Sequence, residues 1–404
     1  MSLEREEDVE VCGDALVGRI ERELRGALRR RSPQEPLLSG ATRVLAPHSA
    51  RIRDLLLEAL DVLIKRGSFE RPLYGAGIRA LAEAGDRRVV QHFKRALATD
   101  QAGGLATLSA ACFVNNSGIS EALARAVNSR HPHLVFAAEV ARVARDESNG
   151  QHVASVAPKI KESHRIALCS EVLVPLLWRS ALPIGIAPAL AVLRGAERHL
   201  GRWLLLGELA VRAGDPQPLA EARARSESGP ASARAAWGLV AWALQGGSAA
   251  PTIRPTVELV ARLSDRPSSD RDPTFLYRLA ASGSVLARPM LENIAKGSGL
   301  ADETAVRAGL YLAKFHGRAD LRQALADVAS NPRREALRGL AAAALFDIGE
   351  QDMALRQCDE LSSSNKLPTL AWTGLIRLRA AGKLAGSELV SEPIFRRAQR
   401  GWIE

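Results

Sequence analysis

Aromatic side chains are scarce in this chain of 404 residues: 8 Phe, 6 Trp and 3 Tyr amount to 4%. Sheet cores draw on aromatic and β-branched residues, whereas Ala and Leu, abundant here, favour helix. No alternating run bounded by turn signals argues for a strand. Cysteine is equally thin. Cys12, Cys112, Cys169 and Cys358 lie far apart, which excludes zinc-type spacing and a disulfide framework. No apolar stretch reaches the roughly 18 residues of a membrane span. The first residues include Glu4, Glu6, Glu7, Asp8 and Glu10, acidic where a secretory signal would be basic. A soluble protein of the reducing cytoplasm is therefore expected. Lysine is rare as well, at 8 of 55 basic residues, leaving 47 Arg. The net charge is +10 and the pI about 9.9. Arginine excess suits bidentate recognition of phosphate or carboxylate. A GC-rich coding sequence would produce the same excess together with the abundant Ala, Gly and Leu.

Chemistry-bearing motifs are missing too. GxSxG and GxxxxGK[ST] do not occur, and the Gly-rich turns Gly103-Gly104 and Gly246-Gly247 follow helical patterns rather than strands. His131-Pro132-His133 is the only close histidine pair, without the i,i+4 spacing of a helical zinc motif. Cys112 sits in the apolar stripe LSAACFV (108–114), where a thiol packs as a small hydrophobe. No catalytic residue, metal site or cofactor is expected, and no small-molecule ligand.

What the chain does have is a period. Turn markers at Gly85, Asn116, Glu147, Ala181, Gly214, Gly246, Gly283, Gly317, Gly349 and Gly382 are separated by 31 to 37 residues. A helix pair fits between each marker and the next, the signature of a stacked helical-repeat array. In the reference unit, Pro72 opens a helix whose stripe is Leu73, Gly77, Leu81 and Ala84. Gly85-Asp86 closes it, and Val89, Val90, Phe93 and Leu97 form the stripe of a second helix. Later first helices are expected at 105–114, 134–145, 166–180, 202–213, 231–244, 274–281, 303–316, 333–348 and 367–381. Second helices are expected at 119–128, 153–161, 187–199, 218–225, 253–263, 287–296, 320–329 and 352–361. Eight residues before the closing Gly stand Gly77, Gly238, Gly309, Ala341 and Gly374. Gly inside a helix costs about 0.5–1 kcal/mol against Ala, so a shared register points to close approach between stacked helices.

The strings RALAEAGDRRVVQHFKRAL (79–97), GELAVRAGDPQPLAEA (207–222) and AALFDIGEQDMALRQC (343–358) resemble the HEAT and HEAT-like family of α-solenoids. Each shows an Ala/Leu helix, a Gly-acid turn and a Leu-rich second helix, and the resemblance spans roughly residues 50–400. It implies an all-α, right-handed solenoid of about ten antiparallel helix pairs with second helices on the concave face. The tetratricopeptide pattern, which shares the period, is absent. Residues 1–48 are expected to form an N-terminal capping helix and linker. Residues 49–264 and 265–404 form the two halves of the array, divided by the polar loop 264–273. In the capping helix, Leu16, Ile20, Leu24 and Leu28 make a narrow apolar stripe.

Two functions fit. A repetitive surface without a nucleophile, base or metal set suits a non-catalytic scaffold that binds another protein. Alternatively, Arg87, Arg88, Lys94, Arg95, Lys159, Lys161, Arg194, Arg198, Arg223 and Arg225, on or beside the second helices, would form a basic face for nucleic acid. HEAT-like DNA glycosylases are built on that plan, although their motif has no counterpart here. Trp203, Trp237 and Trp372 recur at similar positions in first helices, which suits core filling, or binding anchors if exposed.

Overall fold

Gly85, Gly214, Gly246, Gly283, Gly317, Gly349 and Gly382 all adopt left-handed backbone, with φ between 62° and 96°. Each ends a first helix. At Gly85 the amide donates to Ala82 O and that of Asp86 reaches back to Leu81 O. The same pair of bonds recurs at Gly214-Asp215, Gly246-Gly247, Gly349-Glu350 and Gly382-Lys383. This is the Schellman closure, which needs a residue tolerant of positive φ. Asp146 (φ 58°) takes the glycine's place before Glu147, as a short polar side chain can. The period is thus a repeated helix-stop. The markers Asn116 and Ala181 lie outside the described residues.

The computed structural model describes residues 14–29, 41–42, 45–68, 72–99, 101–112, 117–173, 184–247, 249–264, 274–297, 299–364 and 366–383. Among these there are 21 α-helices and no strand. They are α1 (Asp14–Arg29), α2 (Ala50–Lys65), α3 (Pro72–Glu83), α4 (Val89–Thr99), α5 (Gln101–Ala111), α6 (Ser117–Ala126), α7 (Pro132–Ala144), α8 (Gln151–Val156) and α9 (Glu162–Leu168). Then follow α10 (Ala187–Gly195), α11 (Leu200–Arg212), α12 (Gln217–Glu227), α13 (Ala231–Leu244), α14 (Val257–Ser264) and α15 (Thr274–Ala281). The last are α16 (Arg288–Gly297), α17 (Glu303–Phe315), α18 (Asp320–Ser330), α19 (Glu335–Asp347), α20 (Gln351–Leu361) and α21 (Leu367–Ala380).

Several expected elements differ: the helix expected over 105–114 runs Gln101–Ala111, that over 187–199 stops at Gly195, and that over 153–161 gives way after Val156 to a 3-10 turn. The helix expected over 166–180 starts earlier, at Glu162, and widens into a π-turn over Cys169–Leu173. The helix expected from 253 begins only at Val257, because Pro255 disfavours helical backbone at the residue before it. The linker 32–49 is described only in part, and there Ala46–His48 forms a 3-10 turn. The loop 265–273 lies outside the described residues.

Consecutive first helices pack on one another: α3 on α5, α5 on α7, α17 on α19 and α19 on α21. Several of them are buried on most sides. In α7 and α17 the buried set includes Phe136, Val140, Leu310 and Tyr311. Second helices are thinner contributors; α12 buries only Pro218 and Ala222. Small residues set the spacing. A Cβ on Gly339 would lie 2.9 Å from Thr369 O and 2.9 Å from Trp372 Cβ, so α19 and α21 meet backbone to backbone there. The register seen in the sequence meets side-chain tips instead: Leu60 for Gly77, Ile253 for Gly238, Leu300 for Gly309 and Leu16 for Gly374. Ala341 already carries a Cβ and is fully buried.

The N-terminal helix does more than cover the first unit. α1 buries Leu16, Val17, Ile20, Leu24 and Ala27 and packs against both α2 and α21. The first and last described helices of the chain are therefore neighbours.

Candidate functional site

Arg88 follows the Gly85-Asp86 turn, where its guanidinium pairs with Asp86 at 2.6 Å and with Asp54 at 2.7 Å. Arg95, two turns along α4, meets Asp61 at 3.2 Å. Their neighbours Arg87 and Lys94 are exposed, as are Lys159 and Lys161 beyond α8. Arg194 is only 6% exposed, so it adds no charge to the surface. Its Nε lies 3.6 Å from Glu221 and its guanidinium 5.6 Å over the Trp203 ring. Arg225 pairs with the same Glu221 at 2.5 Å and stacks 4.5 Å from Trp237. Trp203 and Trp237 meet edge to face at 4.7 Å. Among the expected basic residues, the structure brings Arg194 and Arg225 together, around two tryptophans and one shared carboxylate. Arg223 is exposed nearby. Arg198 lines a notch of about 140 Å³ with His199, Leu200 and Arg262.

Some second helices pack on one another, α4 on α6 and α8 on α10, whereas α18 and α20 leave a groove. Trp203 and Trp242 are 2% and 6% exposed, and Trp237 and Trp372 pack against the same core; the first two fill it.

Cys112, Cys169 and Cys358 are buried, and burial pushes the Cys169 and Cys358 thiols up to about 12; such thiols are not nucleophiles at neutral pH. His133 stacks on His164 with ring centroids 3.9 Å apart, and His131 lies 5.9 Å away. Burial first, then the neighbouring His164 and His131, brings His133 down to about 4. Among the described residues no group of three or more His, Cys, Asp or Glu is placed to hold a metal.

One further feature is not among the residues that the sequence reading singled out. α18 and α20 face each other across a groove of about 340 Å³. α18 contributes Gln323, Ala326, Asp327 and Ser330; α20 contributes Met353, Arg356, Gln357 and Glu360. Both sets run i, i+3, i+4, i+7, one face of each helix. Those positions would be apolar if the helices packed directly. Their polarity was the available signal. Gln357 Nε2 donates to Ser330 Oγ at 3.3 Å and sets the register between the helices.

Compared with protein-family models, curated proteins and solved structures, the chain matches none. Among the described residues no helix is long and apolar enough to cross a membrane.

Proposed function

We propose that this chain is a non-catalytic helical-repeat scaffold, a HEAT-like right-handed solenoid of about ten helix pairs, that holds another protein on the faces of its second helices. The observation that carries this reading is the unequal use of the two helix rows. First helices are consumed by the core; second helices such as α12, α18 and α20 expose most of their surface and bury few residues. Exposed polar helix faces beside a groove suit a protein partner. Much of the basic charge is already matched by carboxylates of the same chain, at Arg88, Arg95, Arg194 and Arg225, which weakens attraction to a phosphate backbone. One observation favours nucleic acid as the second reading: the Arg198, His199 and Arg262 notch at the amino end of α11, where helix N–H groups add positive potential.

Affinity purification of the full chain from its native cell, with nuclease present, tests the first reading. Stoichiometric recovery of a protein partner that survives nuclease is expected. Recovery of nucleic acid alone without nuclease, and of no protein with it, would overturn it in favour of the second.

A further inference from the structure

Three features of the groove between α18 and α20 point to one kind of occupant. Gln357 is 8% exposed, and its Oε1 meets no donor, so a buried acceptor is left unmatched. Asp327 and Arg356, on opposite walls, do not pair with each other. Asp327 takes the Gln323 amide at 2.9 Å, and Arg356 Nε donates to the Asp352 carbonyl at 3.3 Å. The apolar lining is limited to Ala326 and Met353, too little to anchor an amphipathic helix by its side chains.

The Asp327 acceptor and the Arg356 donor on facing walls match a peptide group, which presents N–H on one side and C=O on the other. We infer that the groove holds an extended segment of the protein partner by its main chain. A backbone N–H of the segment donates to the Asp327 carboxylate on the α18 wall and a backbone carbonyl accepts from Arg356 on the α20 wall; a further N–H of the segment reaches Gln357 Oε1 once that amide turns outward. The two helices have 11 residues each, a length of about 16 Å, which spans about five residues of extended chain at about 3.3 Å each. A phosphate backbone does not fit, because it would meet Asp327 and Glu360 as like charges. This inference rests on the protein-binding reading and assigns it a surface.

The test uses the full chain and a phage library of random dodecapeptides. Enriched peptides are synthesised, and their binding is measured by fluorescence anisotropy against the parent, Gln357→Leu, Asp327→Asn and the groove-filling Ala326→Trp. Each substitution is expected to weaken binding about ten-fold or more, as is N-methylation of a central peptide amide. Equal affinity for the parent and Ala326→Trp overturns the groove while leaving the protein-binding reading to the native purification. An empty selection overturns the groove as well. If Ala326→Trp loses its melting transition, unchanged affinity in Gln357→Leu and the exposed Asp327→Asn is the overturning result.

Discussion

Gly339 and Gly77 sit just over one turn inside first helices, yet a methyl group would meet different things at each. At Gly339 it would press on the Thr369 carbonyl and the Trp372 Cβ, both at 2.9 Å, atoms that move only if α21 moves. At Gly77 it would lie 3.4 Å from Leu60 Cδ2, an ordinary contact with the end of a flexible side chain. Gly339→Ala is therefore expected to destabilise the chain by about 1–3 kcal/mol through overpacking. Gly77→Ala should be neutral or stabilise by up to about 1 kcal/mol, as helix propensity favours Ala. Urea titrations of the two variants check this; coincident midpoints would show that close approach at Gly339 does not set the spacing. The sequence supplied the small residues of these helices but not which of them touches backbone. Gly339, two positions before the aligned register, does so because the crossing point of α19 and α21 is a tertiary quantity.

Between elements, the clearest consequence concerns α7 and α9. His133, in the first turn of α7, packs against His164 of α9 and is 5% exposed. Its folded pKa, about 4, lies below the roughly 6.5 of an unfolded histidine. Between those values the unfolded chain binds the extra proton, so stability rises with pH across that window and falls as pH drops from about 6.5 toward 4. The parent should lose urea resistance between pH 7 and pH 5, and His133→Gln should lose less. An identical pH dependence in both would remove His133 as a cause. Elements were the most legible level. The α13 and α15 spans coincide with expectation because a Gly stop and an apolar period bound them. The π-turn at Cys169–Leu173 carries no local signal. The groove between α18 and α20 left a trace only in polar residues at positions where packed helices would be apolar. Its width depends on how far two nonadjacent helices separate, which no local pattern encodes.

For the whole molecule, the two helix rows are used unequally. Among the described residues, first helices such as α3, α5, α17, α19 and α21 pack on one another, while second helices such as α12, α18 and α20 bury few residues, so exposed helix surface accumulates along the chain. α1 joins this plan by packing on α2 and α21 together; its apolar stripe was legible, its second neighbour was not, since that contact spans nearly the whole chain. Long-range ion pairs add to the coupling: Arg278 of α15 reaches buried Glu208 of α11 at 2.6 Å, bridging the two halves expected on either side of residue 264. The central claim is that this surface works by holding another protein. Hydrogen–deuterium exchange on the full chain, with and without the natively purified partner, tests it most directly. The account predicts added protection on second helices, foremost 320–330 and 351–361, with first helices unchanged because they are already buried. Protection produced by duplex DNA alone, and none by any purified protein, would contradict it.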